Sequence, residues 1–419
     1  MCSGELQEIR CELGAVSRPK FNRTLAVNAA HVRTSMAPEI TFFPVGNGDM
    51  TLIKLESGRT ILIDTNIREP GDGVRDVAKD LRGELKSDEQ GRPYVDVMVL
   101  SHPDQDHCRG LEAEFHLGPL SDYSDDAKPK KIVIREMWSS PLIFRRASKN
   151  HKLSADAKAW NREAKRRVEL FRENGIGANG DRVIVLGEDR DGKTDDLGDI
   201  LVKEGETICT VCGVNQNNFS ALLLAPMLAD DDEEDEVLSK NESSVIMNYA
   251  IGAGNNPDAV KFLSGGDAEV AIWARQWERH KDNPTPLEYN LLSTPHHCSW
   301  RTLSSDSWSD LRRKAKVNPD ARAALSQALP GATIVASSNV IKDDDVDPPC
   351  IRAKEEYEAI ARDARGEFWN TSTYLSEDNQ QPLKFEVSEG GLKRVKKRAD
   401  AAATAVSGVG LGKQPLMHG

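Results

Sequence analysis

His102, Asp104, Asp106 and His107 fall within six residues in the stretch LSHPDQDHCRG, directly after the apolar run VDVMVL. Imidazole nitrogens and carboxylate oxygens bind divalent cations directly, and a tight loop after a strand can aim several of them at one place. A histidine and the carboxylate two positions later can face one ion. The next carboxylate and histidine can face a second. Taken alone, the same residues also read as a polar turn whose acids cap a helix beginning near Cys108.

Three later segments end in the same kinds of donor. AVKFLSGGD ends at Asp267, YNLLSTPHH at His296 and His297, and ATIVASSNVIKDDDVDPP runs through Asn339 to aspartates ending in Asp347. Loops at the carboxyl ends of strands are where a sheet scaffold presents its chemistry. Each piece has a plainer reading. Asp267 could be a turn acid after two glycines, one of the paired histidines could only hydrogen-bond, and most of the Asp343–Asp347 run reads as solvated acids.

Strands must carry these loops if the donors are to meet. ITFFPV, MTLIKL and TILIDT, separated by the turns GNGD and ESGR, give the strand and hairpin signal. VDVMVL, KKIVIREMW, SSVIMNYAI, AVKFLS, YNLLST and ATIVASS add further strands. Residues 154–173 read as a helix that Ser154 can cap, with Ala157, Trp160, Ala164, Val168 and Phe171 at helical spacing. CIRAKEEYEAIARDA reads as another helix. The expected organisation is an N-terminal arm over 1–37, a main domain over 38–390 and a basic, loosely ordered tail over 391–419. Within the domain, 141–175 is a basic helical insertion and 228–242 an acidic loop.

The sequence is similar to the hydrolase domain of ComEC-type DNA-internalisation proteins, members of the metallo-β-lactamase fold. HPDQDH resembles the HxHxDH signature with Asp104 in place of the middle histidine. FPVGNGDMTLIKLESGRTILIDTN resembles the family's VGQGD strand pair and LIDTG strand, NESSVIMNY its NxxS strand, FLSGGDAE its LLTGDAE segment and LLSTPHHCSW its LKVPHHGS segment. VASSNVIKDDDVDPPCIRAKEEY falls where the family has an NxYGHP loop, and GEFWNTSTYLSED resembles the final strands. The likeness covers about residues 38 to 390. Two departures stand out: Cys298 replaces the glycine of HHGS, and the last histidine of the GHP loop is absent, with Asp347 the nearest replacement.

The resemblance implies an α+β chain folded as a four-layer αβ/βα sandwich with a helical insertion. It implies that His102, Asp104 and one of His296/His297 hold one ion, with His296 favoured because it directly follows the strand and Pro295. Asp106, His107 and Asp347 would hold the other, and Asp267 would bridge the two. Asp64, at the end of ILIDT, matches a buried acid that hydrogen-bonds beside the site. An aspartate in place of a histidine hardens the donor set, so Mn²⁺ becomes a candidate alongside Zn²⁺. Two such ions acidify a shared water and stabilise charge on a phosphoryl oxygen, which suits phosphodiester hydrolysis. Asp267 and Asp106 are then the expected catalytic carboxylates, Asp106 either as ligand alone or also as the acceptor of the water's proton.

Composition bounds the partners. A net charge of −12 argues against a chain that coats nucleic acid non-specifically, though not against a local basic groove. The expected groove is the basic helix, where Arg162, Lys165 and Arg166 would clamp a nucleic-acid backbone; the alternative is a solvated face. No run of apolar residues is long enough to span a membrane, and the opening residues lack an apolar signal core. Seven scattered cysteines suit a reducing cytoplasm better than a disulfide framework. CTVC, Cys209 to Cys212, reads as two buried thiols rather than a zinc knuckle, because no second pair accompanies it.

The expected function is therefore a two-metal-dependent nuclease or phosphodiesterase cleaving DNA or RNA, without a membrane partner and compatible with a regulatory protein that restrains it. The alternatives are a hydrolase of small phosphodiesters, such as nucleotide signals or phosphocholine esters, and a degenerate fold serving as a binding subunit. The near-complete ligand set weighs against the last. HxDxDH also departs from the β-lactamase ligand set, which argues against antibiotic hydrolysis.

Overall fold

The computed structural model describes residues 36–144, 153–189, 192–227 and 244–396. The acidic loop, most of the N-terminal arm, the far end of the basic tail and the start of the basic insertion lie outside the described residues.

Strands with apolar side chains on both faces must be covered on both sides. Pro93–Leu100 shows this: Val97 and Val99 point one way, Met98 and Leu100 the other, and all four are buried. Thr60–Ile63 repeats the pattern with Ile61 and Ile63 against Leu62. These two strands pair in parallel, and Pro93–Leu100 pairs in parallel with Ile132–Ser139. The sheet continues in parallel through Arg182–Leu186 on one side. On the other it turns antiparallel through Thr51–Lys54 and Glu39–Phe42.

A second mixed sheet has the same plan. Phe219–Ala225, Ile246–Ala253 and Asn256–Ser264 are antiparallel neighbours. Asn256–Ser264, Tyr289–Ser293, Ala328–Ala336 and Glu367–Asn370 then run parallel. The two sheets face each other across one core, where Ile40, Phe42, Ile61, Val97 and Trp138 meet Leu223, Met247, Tyr249, Phe262 and Val335.

Helices cover the outer faces. Val77–Glu84 and Ala155–Asn174 pack Leu81, Trp160 and Val168 on Leu62, Met98 and Met137 of the first sheet. Val270–His280 and Ile351–Asp363 pack Trp273, Tyr357 and Ile360 on Ile246, Leu263 and Ile334 of the second. The result is the four-layer αβ/βα sandwich expected from the sequence. None of the described helices is long and apolar enough to cross a membrane.

Ser154 caps its helix by accepting from the Ala157 N–H, and Trp160 is packed in the core with its Nε1–H donating to Ser139 Oγ. Two expectations give way. The tail reading from residue 391 fails at its start, because Gly391–Arg394 forms a strand antiparallel to Leu383–Ser388 after a tight Glu389–Gly390 turn. Of the two CTVC thiols expected to be buried, Cys212 is, but Cys209, between the short strands Thr207–Ile208 and Thr210–Val211, is only half-buried. Cys212, at φ 51°, and Gly213, at φ 69°, turn the chain back onto Val214–Asn215.

Candidate metal centre

The carboxyl ends of parallel strands in both sheets open onto one place, the position where α/β sheets present ligand-binding loops. Pro93–Leu100 delivers Ser101 and His102, and the short helix Gln105–Cys108 that follows holds Asp106 and His107. Asn256–Ser264 leads through Gly265 and Gly266 to Asp267, and Tyr289–Ser293 leads to His296 and His297. Gly266 sits at φ +48°, and a Cβ there would stand 2.9 Å from the Ser101 Cβ. Its bare backbone lets the Asp267 loop close on the first motif.

The Asp267 carboxylate divides the donors into two sets. Its Oδ2 lies 3.4 Å from His102 Nε2 and 3.7 Å from His296 Nε2. Its Oδ1 lies 3.0 Å from His107 Nε2 and 3.5 Å from His297 Nε2. Asp104 Oδ2 is 4.0 Å from His102 Nε2, and Asp106 Oδ2 is 3.4 Å from His297 Nε2. Donors bound to one ion at about 2.1 Å stand roughly 3–3.5 Å apart, so both sets have the spacing of a coordination shell.

Both histidines of the HH pair therefore face Asp267, from opposite oxygens. The place expected for Asp347 is taken by His297. Asp347 Oδ1 instead accepts the Trp300 backbone N–H at 3.0 Å. A further donor, absent from the sequence-based set, joins the second group. Asp49 of GNGD is buried, and ligand atoms of Asp49, His107, Asp267 and His297 lie within 4.8 Å of one another. Its signal was present in the aspartate that closes the glycine turn before MTLIKL, read there as a turn only.

Neighbouring groups set how the donors point. Asp64 Oδ2 is 2.7 Å from His107 Nδ1, which leaves Nε2 turned toward Asp267. The other Asp64 oxygen accepts the Ser101 N–H at 2.7 Å. Gly48 N–H lies 3.1 Å from His297 Nδ1, which leaves the ring's Nε2 turned toward Asp106 and Asp267. His296, His297 and Cys298 occupy consecutive left-handed positions, at φ 53°, 53° and 68°. Non-glycine residues there cost about 1–3 kcal/mol each and persist only where surroundings fix them. Here the His296 N–H donates to the Gly266 carbonyl, and the Cys298 carbonyl accepts from Cys350 N–H.

Charge and burial oppose each other throughout the cluster. Burial disfavours charge on Asp267, but the surrounding His107, His297 and His102 hold its carboxyl well below the usual range. Burial likewise opposes charge on His107, yet the carboxylates of Asp267 and Asp64 push it well up. Burial dominates at Asp49 and raises its carboxyl to about 6, against the pull of His297 and His107.

The residues fit divalent cations on their own geometry. His102 Nε2, Asp267 Oδ1 and Asp49 Oδ1 are buried polar atoms without a hydrogen-bond partner, though His107 lies close to Asp267 Oδ1. Native interiors rarely leave such atoms unmatched, and here they converge. His102, Asp104, Asp267 and His296 would hold one ion. Asp49, Asp106, His107, Asp267 and His297 would supply the second.

The basic helix is less open than its composition suggests. Arg166 pairs with Glu163 at 2.6 Å and Asp181 at 2.8 Å, and Arg162 with Glu112 at 2.9 Å. Lys165 is exposed. The helix begins beside the centre, with Ser154 Oγ 3.7 Å from Cys108 Sγ.

Four layers with histidines and aspartates gathered at the strand ends are the arrangement that the sequence's resemblance to the metallo-β-lactamase fold implies. No protein-family model matches the chain, and no curated protein does. Solved structures similar to it include Igni18, a metallo hydrolase from Ignicoccus hospitalis, at 12% identity and TM-score 0.35, covering 84% of this chain and 100% of that one. An isothiocyanate hydrolase from Delia radicum gut bacteria matches at 12% identity and TM-score 0.33, covering 79% and 95%. Yeast PDE1 matches at 12% identity and TM-score 0.38, covering 80% and 96%. At these values the likenesses carry no argument about activity.

Proposed function

We propose that this chain is a two-metal-dependent phosphodiesterase whose substrate is nucleic acid. The observation that carries the reading is the Asp267 carboxylate, with one oxygen toward His102 and His296 and the other toward His107 and His297. A carboxylate shared in this way suits two cations side by side. Two Zn²⁺ or Mn²⁺ ions would supply Lewis-acid charge for a phosphoryl oxygen and make a water acidic near neutral pH.

The chain's own residues prepare that chemistry. Asp64 fixes the His107 ring, and Gly48 fixes the His297 ring. The left-handed segment at 296–298 holds both histidines at the Asp267 carboxylate. The buried floor of the cluster limits access of bulk water, which strengthens each charge interaction there. Asp106, less buried than the histidines, lies at the edge where a substrate would arrive.

Pairing of Arg162 and Arg166 with acids gives a specific reason to retain small phosphodiesters as the second reading. The test is hydrolysis of single-stranded and duplex DNA, RNA and bis(p-nitrophenyl) phosphate with Mn²⁺, Zn²⁺ or Mg²⁺. Each substrate is assayed with wild type and with Arg162→Gln/Lys165→Gln, which leaves the Arg166 pairs intact. Salt-sensitive polynucleotide cleavage that falls in the variant, with the small substrate unaffected, supports a nuclease. Cleavage of the small substrate alone supports the second reading. A chain that binds no metal and cuts neither would sink both.

A further inference from the structure

A pair of arginines stands at the rim of the centre without acidic partners. Most buried or half-buried arginines of this chain are matched. Arg59 and Arg135 pair with Asp96, Arg167 with Glu163, and Arg182 with Glu136. Among the described residues, Arg68 and Arg109 have no ion pair and their guanidiniums donate no hydrogen bond. Arg109 Nε is buried and unsatisfied. Burial and the nearby charge of Arg109 hold the Arg68 guanidinium below its ordinary value.

The backbone brings both to one face. Arg109 lies two residues after His107, and its carbonyl accepts the Ile67 N–H at 3.0 Å. Asn66 and Arg109 are partners in a parallel bridge, so their side chains share a side, and Arg68 lies two residues beyond Asn66. That side faces the loop before Asp49, because Asn66 Nδ2 donates to the Val45 and Asn47 carbonyls. Arg68 reaches the same loop. Its Nη2 lies 3.2 Å, and Asn339 Oδ1 2.8 Å, from where a Cβ on Gly46 would stand. Gly46 is left-handed at φ +76°, and any side chain there would fill the space between them. Asn47 and Asn339 also line a cleft of about 350 Å³ with Lys342, Ser372 and Gln380.

We propose that Arg68 and Arg109 form an anion clamp beside the metal centre that takes a second phosphate group of the substrate, next to the one that is cut. The inference rests on the phosphodiesterase reading and deepens it. Two guanidiniums on one face, each within reach of the other's charge, repel unless an anion offsets them. A phosphate carries the charge to offset both and offers oxygens for their paired N–H groups. The bare Gly46 leaves room for such a ligand beside the Arg68 guanidinium.

The experiment measures binding, so no turnover is required. Full-length protein charged with Mn²⁺, its metal content measured, is titrated calorimetrically with thymidine 5′-monophosphate and with thymidine 3′,5′-bisphosphate. The wild type should bind the bisphosphate at least about tenfold more tightly, as charge-assisted hydrogen bonds would provide. Arg68→Gln/Arg109→Gln should abolish that advantage while metal content, melting temperature and monophosphate affinity stay unchanged. Arg68→Gln alone should remove part of it, which keeps the test usable if the double variant folds poorly. A bisphosphate no tighter than the monophosphate in wild type overturns the clamp, as does an advantage that survives in the variants. Failure of the protein to cut any phosphodiester would count against the proposed function and leave this binding result standing on its own.

Discussion

Asp64 Oδ2 lies 2.7 Å from His107 Nδ1, and both side chains are buried. The contact fixes which nitrogen of His107 faces Asp267. Asp64→Ala removes that restraint without removing a donor from either set. Metal affinity should fall about 10- to 100-fold, the usual cost of losing such a partner. Calorimetric titration with Zn²⁺ and Mn²⁺ checks it, and unchanged affinity would mean that His107 is not a ligand.

Asp267 and Asp347 should behave as opposites. Asp267→Ala takes a carboxylate from both sets, so elemental analysis should find both ions lost. Asp347→Asn should keep full metal content, since that side chain meets the Trp300 N–H. Its cost should be in stability alone, about 1 kcal/mol. If Asp347→Asn loses an ion and Asp267→Ala does not, the two assignments are exchanged.

His296→Ala and His297→Ala should each lower metal content, but differently. His297 lies with His107, Asp106 and Asp49, and His296 with His102 and Asp104. Each variant should retain about one ion of two, and the retained ions should differ in affinity. Spectra of Co²⁺-substituted variants would separate the two remaining environments. Full metal in either variant would remove that histidine from the centre.

Glu163 supports the basic helix through a buried pair. It accepts from Arg167 at 2.7 Å and from the Gly118 N–H at 2.9 Å. Glu163→Ala leaves the Arg167 charge buried and unmatched, which should destabilise the fold by about 3–5 kcal/mol. Burial opposes ionisation of Glu163, but Arg166 and Arg167 outweigh it and lower its carboxyl from the ordinary 4.5. A depressed carboxyl contributes fully above that ordinary value and loses its contribution as pH falls through the folded one. The gap between wild type and variant should therefore be flat from pH 7 to about 5 and close below about 4.5. Urea unfolding across that range is the measurement, and a gap that widens on acidification would contradict the pairing.

The sequence announced what is local. Continuous apolar strands and the crowded HPDQDH loop carry their own signal, because the period of a strand and the reach of a short loop are set within a few residues. Asp49 stands in plain view in GNGD, but its approach to His107 depends on how the glycine turn packs against a loop far along the chain. The exchange of Asp347 for His297 depends on three left-handed residues in a row, which nothing in PHHCS announces. The basic helix showed its charges but not their partners, since Glu112 and Asp181 arrive from other elements. The strand Gly391–Arg394 was hidden by its lysine and arginine, although the EGG turn before it allows a hairpin.

The pairing of Glu39–Phe42 with Leu383–Ser388 sets Ile40 opposite Phe385. During synthesis, the first strand of the domain must wait for nearly the last before its second edge is covered. Until then its backbone donors and acceptors lie open to any passing strand, an invitation to mispairing. Covering that edge is therefore a late, long-range step of folding with a large loop to close.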